Sequence, residues 1–349
     1  MRVAVVNDLR LAVEVQRRML AAEPGCELAW VATNGAEAVE RCRTDLPDLV
    51  LMDLVMPVMD GVEATRRIMR ATPCPILVVT STVEGHVDRV YDALGAGALD
   101  AVATPTFAPD GTVKGAEPVL RTLRTIRRLH GPAVAAARPP AADAPAAPAV
   151  RGERMILLGA STGGPEAVAA VLRGLSPELP APIVLVQHLG RDYVPGLVEW
   201  LAPAARRPVR AIVAGERPAP RTVHVAHTDD HLVLRADGVF DYDREPADQP
   251  YRPSVDVFFA SVARRGLPPG AAAVLTGMGR DGAAGLLALR DARWATFAQD
   301  QATSVVWGMP RACAENGAAR TVLPVTALGA ALEAAWRSAA TPAPRGTGA

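Results

Sequence analysis

Cysteine is scarce in this chain: four residues in 349, Cys26, Cys42, Cys74 and Cys313. They are scattered, with no CxxC pair and no metal-ligand spacing. That argues against a disulfide framework or a zinc site and for reduced, largely buried thiols. Charge of one sign is lacking too, since Lys+Arg and Asp+Glu both number 37. The balance gives no footprint of nucleic acid or of an anionic membrane. No run approaches the roughly 18 apolar residues that span a bilayer, and the N-terminus has no signal-peptide core. A cytoplasmic protein without membrane insertion is expected. What the chain does have is hydrophobic residues, 50% of the total, enough for ordinary cores. Its length suggests two domains.

The boundary between them is legible. Fifteen of the twenty residues from 131 to 150 are Ala or Pro. Such a stretch offers no large side chain to a core, and its prolines break helices, so it reads as an extended linker. The expected organisation is a domain over 1–130, the linker over 131–150, and a domain over 151–345, with a frayed tail from Thr341.

In the first domain, apolar strand candidates at 3–6, 28–32, 49–52, 76–79 and 99–102 alternate with helical patterns at 11–22, 36–42, 62–69, 87–94 and 118–129. The alternation predicts a flavodoxin-like, five-stranded parallel sheet with helices on both faces. Functional groups in such folds gather at the carboxyl ends of the strands. Asp8, Asp53, Thr80 and Thr104 fall there.

The second domain alternates as well, which predicts a doubly wound α/β fold with a mostly parallel core. Strands are expected at 155–158, 183–187, 209–213, 223–226, 272–276 and 295–298. Helices are expected at 165–175, 194–202, 254–265, 282–292, 305–315 and 326–338. Segments 231–235 and 239–242, joined around Asp237-Gly238, suggest a hairpin.

Its first strand leads into Gly159-Ala160-Ser161-Thr162-Gly163-Gly164 and then a helix. Glycines let the backbone turn sharply and leave room for a substrate. The helix N-terminus offers N–H groups where an oxyanion can form. His188 follows the next strand, and Asp281 follows the strand at 272–276. A histidine can take the serine proton, and a carboxylate can fix its tautomer. The order Ser…His…Asp differs from the Ser…Asp…His of α/β-hydrolases. Each residue also has a plainer reading: His188 as a core histidine, Asp281 as a helix cap. A sharper rival is Gly277-Met278-Gly279-Arg280-Asp281-Gly282, a GxGxxG with Asp300 near the spacing of a ribose-binding acid. Pattern alone leaves the esterase and dinucleotide readings both open.

Two resemblances bear on the choice. Leu51-Met52-Asp53-Leu54-Val55-Met56-Pro57-Val58-Met59-Asp60-Gly61 resembles the phosphoacceptor loop of two-component receiver domains. The likeness covers 1–130. It implies that Asp53 accepts a phosphoryl group from a histidine kinase, that Asp8 and Asp53 bind Mg2+, and that Thr80 is the switch residue bonding the phosphoryl oxygen. The chain departs from that family where Asn7-Asp8 replaces two acidic residues, where Thr104 replaces a lysine, and where Ala101 replaces an aromatic. From 155 to about 320 the chain resembles the catalytic domain of the chemotaxis protein-glutamate methylesterases, the CheB family. The matching motifs are Gly159–Gly164 as quoted, Gln187-His188, Arg252-Pro253-Ser254-Val255-Asp256, Leu275-Thr276-Gly277-Met278-Gly279-Arg280-Asp281-Gly282-Ala283-Ala284-Gly285 and Gly308-Met309-Pro310.

This resemblance implies Ser161 as nucleophile, His188 as general base and acid, and Asp281 as orienting carboxylate. Thr162 and Met278 would line the substrate groove and supply oxyanion donors. The implied substrate is a glutamate γ-methyl ester on a methyl-accepting chemoreceptor, with glutamine deamidation as a parallel activity and no cofactor for the ester step. The implied partners are chemoreceptors and the histidine kinase of a chemosensory array. The family also implies that the unphosphorylated receiver restrains the esterase. Asn7 and Thr104 resemble the Wsp-type subgroup, which serves alternative chemosensory arrays. A receiver-based signalling or scaffold protein with an idle esterase is the remaining alternative beside the dinucleotide-binding enzyme.

Overall fold

A computed structural model of the chain describes residues 1–80, 87–130 and 153–338. The chain divides into two compact units, Met1–Arg138 and Pro139–Ala349. The expected linker at 131–150 and the tail from Thr341 lie outside the described residues.

The first unit runs β1 (Arg2–Val6), α1 (Arg10–Ala22), β2 (Glu27–Ala32), α2 (Gly35–Thr44), β3 (Leu49–Met52), α3 (Gly61–Ala71), β4 (Ile76–Thr80), α4 (Val87–Gly95) and β5 (Asp100–Ala103). A small antiparallel hairpin, β6 (Thr106–Phe107) with β7 (Val113–Lys114), precedes α5 (Glu117–His130). The five longer strands form one parallel sheet in the order β2-β1-β3-β4-β5. Strands β3 and β4 are buried throughout, which explains why they read as unbroken apolar runs rather than alternating ones. The hairpin has two-residue strands, too short to leave any alternation, and sequence reading missed it. The chain goes outward from β1 to β2 and returns on the other side of β1 with β3. The resulting crevice lies between β1 and β3, whose last residues Val6 and Met52 are in register. The Asp53 amide donates to the Val6 carbonyl (2.9 Å) and ties the two strand ends together.

The second unit runs β8 (Ile156–Ala160), α6 (Gly164–Arg173), β9 (Ile183–Gln187), a 3-10 turn at Arg191–Tyr193, α7 (Val194–Ala205), β10 (Val209–Ala211), β11 (Val223–Val225), β12 (His231–Leu234), β13 (Phe240–Asp243), α8 (Val255–Ala263), β14 (Ala271–Val274), α9 (Ala283–Asp291), β15 (Ala295–Gln299), α10 (Met309–Glu315), β16 (Thr321–Leu323) and α11 (Val325–Ser338). Seven parallel strands form its sheet in the order β10-β11-β9-β8-β14-β15-β16, and β12 and β13 pair separately as the expected hairpin. The core joins strand residues such as Leu157, Val184, Val186, Ala272 and Val274 to Phe258, Phe259 and Leu286 on α8 and α9. The strand β16 was not anticipated: it is short, at the sheet edge, and partly exposed. The helix expected from 305 begins only at Met309. Residues before it are held elsewhere, because the Val306 amide donates to Thr276 Oγ1 (3.0 Å) and Trp307 pairs with Gly277.

The order of strands fixes the site. From β8 the chain adds β9, β10 and β11 on one side, with β11 inserted between β9 and the edge strand β10, then returns on the other side with β14. The crevice at this reversal is bordered by the carboxyl ends of β9, β8 and β14. Those ends carry His188, Ser161 and the turn containing Asp281.

Candidate active site

Ser161 sits in the turn between β8 and α6. Its amide donates to the Thr276 carbonyl (3.0 Å), and its carbonyl accepts from Gly164 N (2.7 Å) and Gln187 Nε2 (2.8 Å). The peptide is fixed on both sides. Ser161 is 8% exposed, sheltered but reachable. Two glycines make the close approach possible. Gly163 has φ 72° and caps α6, in the region that favours glycine. A Cβ on Gly277 would lie 2.8 Å from Ser161 Cβ and 2.3 Å from Met309 Sδ, so the turn after β14 closes on the serine only with glycine there.

His188 is the next residue after β9. Because Ala160 and Gln187 are in register, His188 and Ser161 occupy equivalent steps on adjacent parallel strands. His188 Nε2 and Asp281 Oδ2 are 2.8 Å apart. The opposite nitrogen, Nδ1, is buried with no hydrogen-bond partner. The pairing sets its role: if Nε2–H donates to Asp281, Nδ1 is the basic nitrogen.

Asp281 does not cap the helix that follows it. That helix, α9, starts at Ala283 after Gly282, with φ 91°. The carboxylate turns instead to the start of α8. It accepts from Ser254 Oγ (2.8 Å), Val255 N (2.7 Å) and Asp256 N (3.1 Å) besides His188. Burial opposes its ionisation, but the hydrogen bond and positive charge of His188 and these N–H donors outweigh it, so the carboxyl is held below its ordinary range. Asp256 shows the opposite balance. Burial and the neighbouring Asp281 charge push it up, although the amides at the start of α9 favour its anion.

Thr162 is buried, and its carbonyl accepts from Thr276 Oγ1 (2.9 Å); Met278 is half-buried. Among the described residues, neither the Thr162 nor the Met278 amide donates to a protein acceptor. The dinucleotide reading of residues 277–282 is not favoured. Asp281 puts a buried negative charge inside the turn. Asp300 Oδ1 is occupied locally by Thr303 N (3.0 Å) and Thr303 Oγ1 (2.6 Å) rather than turned to a ribose.

In the first unit Asp53 follows β3 and Asp8 follows β1 across the crevice, while Thr80 ends β4, also at the carboxyl edge. Asp53 is buried and Asp8 exposed. Burial, partly offset by the Leu54 N–H and reinforced by the Asp8 charge, pushes Asp53 up to about 6. Two oxygen donors with mutual repulsion suit a hard divalent cation, which takes one or two carboxylates and keeps waters. Asn7 brings an oxygen without charge, and its Oδ1 already accepts from Leu9 N (2.8 Å). Among the described residues there is no group of three or more His, Cys, Asp or Glu side chains able to hold a metal.

Sequence reading found the three strand-end residues but not their support. Ser254, Asp256, Gln187 and Tyr251 all touch the site. The run 252–256 stood out as a motif without a role. Its Ser-x-x pattern before an apolar helix was a cap signal, and Ser254 indeed accepts from Val257 N (3.3 Å). His231, a histidine without evident context in sequence, accepts from Ser254 N (3.2 Å).

A serine at a strand-to-helix turn, beside a histidine paired with a buried carboxylate on a parallel sheet, defines a serine hydrolase as a class. Comparison with known proteins gives the family. The model for CheB methylesterase matches residues 156–332, and that for the response regulator receiver domain matches residues 3–110. A Mesorhizobium japonicum protein named protein-glutamate methylesterase/protein-glutamine glutaminase is 50% identical over 97% of this chain and 100% of its own length. A Pseudomonas putida protein of the same name, from its group 3 operon, is 48% identical over 93% of this chain and 96% of its own. The crystal structure of the Thermotoga maritima CheB methylesterase catalytic domain superposes with TM-score 0.50 at 33% identity, over 53% of this chain and 99% of that one. The chain belongs to the CheB methylesterase family, with a receiver domain preceding the esterase domain.

Proposed function

We propose that this chain hydrolyses glutamate γ-methyl esters on methyl-accepting chemoreceptors, with Ser161 as nucleophile, His188 as general base and acid, and Asp281 as the orienting carboxylate. The 2.8 Å His188–Asp281 pair carries the reading, because it leaves a buried, unpartnered Nδ1 on the strand end next to Ser161. In the first half-reaction Nδ1 takes the Ser161 proton as Oγ attacks the ester carbon. The carbonyl electron pair moves to oxygen, and the amides of Thr162 and Met278 stabilise that oxyanion. Collapse breaks the C–O bond, and the imidazolium gives its proton to the departing methoxide, releasing methanol. Water then attacks the acyl-enzyme with His188 again as base, yielding free glutamate and restoring the serine. Ionised Asp281 stabilises the imidazolium in both halves. Glutamine side chains follow the same route with ammonia leaving. None of these steps calls on a cofactor.

The receiver regulates this chemistry. Asp53 accepts the phosphoryl group from the histidine kinase of the array, and Asp8 and Asp53 would hold Mg2+. The cation supplies charge neutralisation for the transferring phosphoryl group. Thr80, at the end of β4, is the switch residue. The functional domains are 1–130 and 151–345, joined by 131–150, and the reaction takes place in the cytoplasm. Among the described residues no helix is long and apolar enough to cross a membrane. The neutral, locally bonded Asn7 and the Thr104 position favour the Wsp-type subgroup. A receptor pull-down recovering only flagellar-pathway receptors would count against that assignment.

Methanol release from methylated receptor is the test of the enzyme. Ser161→Ala should lose at least about a thousandfold in rate. Release equal to that of wild type would remove Ser161 from the mechanism. The same assay on phosphorylated full chain and on Asp53→Asn tests the receiver, and equal rates would separate phosphorylation from esterase control.

A further inference from the structure

The Tyr251 ring lies parallel to the His188 imidazole, with centroids 4.4 Å apart and planes 4° apart. Nothing in the serine mechanism above uses this residue. A single hydrogen bond from Nε2 to Asp281 fixes one point of the imidazole but leaves its plane free to tilt. A flat ring against one face removes that freedom and so aims Nδ1.

The support under Tyr251 is firm. The Arg252 guanidinium donates to the Ala247 carbonyl (3.0 Å). Two residues further on, Ser254 is held by His231 through its amide and donates to Asp281 through its hydroxyl. One short segment, 251–254, therefore braces both His188 and Asp281. The phenol hydroxyl is buried without a partner. Burial, with the nearby Asp281 charge, raises its pKa, so the ring stays neutral. An aromatic face also attracts a cation, and His188 becomes one each time it takes a proton.

We propose that Tyr251 is a positioning residue for the esterase: its ring sets the plane of His188 and favours the imidazolium, and its hydroxyl is dispensable. The proposal rests on the assignment of Ser161 and His188 above.

The test uses the full chain with Tyr251→Leu and Tyr251→Phe, and Tyr251→Met as a second aliphatic variant should leucine not fold. Methanol release is followed against pH, and Ser161 labelling by a fluorophosphonate reports nucleophile activation without receptor. The aliphatic variants should lose about tenfold in kcat/KM and in labelling rate. Leucine keeps the site apolar but removes the π face. The acid limb of kcat/KM should therefore move down by about half a pH unit as the imidazolium loses support. Phenylalanine should restore both rate and limb to within about threefold and a tenth of a unit. Aliphatic variants with wild-type rates, or with a lower plateau and an unmoved limb, would overturn the proposal. So would phenylalanine failing as badly as leucine, because the hydroxyl would then be the active part. Ser161→Ala separates the two claims. If it is inert and unlabelled while the aliphatic variants are normal, only the Tyr251 role falls; if it is active, the serine assignment falls and takes this proposal with it.

Discussion

Asp281 and Asp256 exchange helix ends. Asp281, just before α9, accepts the first amides of α8, and Asp256, in the first turn of α8, accepts the Gly285 amide of α9 (2.6 Å). Each helix N-terminus thus holds the carboxylate of the other. The two carboxylates also repel each other, and the His188 hydrogen bond favours the charge on Asp281.

Opposite responses to amide substitution follow. Asp281→Asn should reduce kcat by about 10^3- to 10^4-fold, because an amide cannot stabilise the imidazolium. Asp256→Asn should keep most of the activity. An Asp with a raised native pKa binds its proton more tightly when folded, so wild-type stability declines as pH rises above about 4 and into the neutral and alkaline range. Asp256→Asn should flatten that decline. Parallel stability curves from pH 6 to 9 for the two proteins would contradict it.

Ser254→Ala removes the hydroxyl that donates to Asp281 and accepts from Val257 N. A hydrogen bond to a buried charge contributes about 1.5–3 kcal/mol. The expected loss in urea denaturation lies in that range, with kcat down about tenfold as Asp281 is held less firmly. An unaltered midpoint would show that the bond contributes nothing.

Gly277→Ala should damage catalysis more than stability. The added methyl meets Ser161 Cβ and Met309 Sδ, both closer than real Cβ contacts allow. Overpacking of this kind costs about 1–3 kcal/mol; Met309 Sδ can swing away, but Ser161 Cβ moves only with its backbone, so relief there shifts the serine turn itself. Slow fluorophosphonate labelling in a protein that still melts cooperatively is the predicted signature; normal labelling would mean that the methionine alone yields.

The receiver carries its own titration. Asp53, raised to about 6, should lose nucleophilicity as pH falls through that value without metal. Mg2+, which favours the carboxylate, should move the midpoint down, and Asp8→Asn should lower the metal-free midpoint while weakening Mg2+ binding. By linkage, stability is present below the ordinary pKa near 4 and lost as pH rises through about 6, so Asp53→Asn should be the more stable protein above pH 6. Carboxyl carbon NMR reads the midpoint directly; a value near 4 in the metal-free protein would sink the argument.

The sheet architecture was legible in the sequence because buried parallel strands are continuous apolar runs, and β3, β4, β8 and β9 are of that kind. Ser161, His188 and Asp281 could be picked out because strand ends converge in such folds. The edge strand β16 and the hairpin of β6 and β7 were not, since a few exposed residues carry no period. The braces were hidden for a different reason. Tyr251 and Ser254 lie in the segment before α8, and His231 opens the hairpin strand β12, so no spacing along the chain ties any of them to His188 or Asp281. Asp281 looked like the cap of its own helix because sequence proximity says nothing about the direction in which a side chain turns.

The three residues proposed to carry the reaction are tied to the fold very unequally. Among the described residues the Ser161 hydroxyl has no hydrogen bond to protein, whereas the Asp281 carboxylate has four donors around it. A lineage that abandoned ester hydrolysis and kept only the phosphorylatable receiver as its output could shed the serine at little cost to folding. It could not shed the aspartate without unpinning a helix. Descendants that have lost the activity should therefore be recognisable by an aspartate that outlasts its serine.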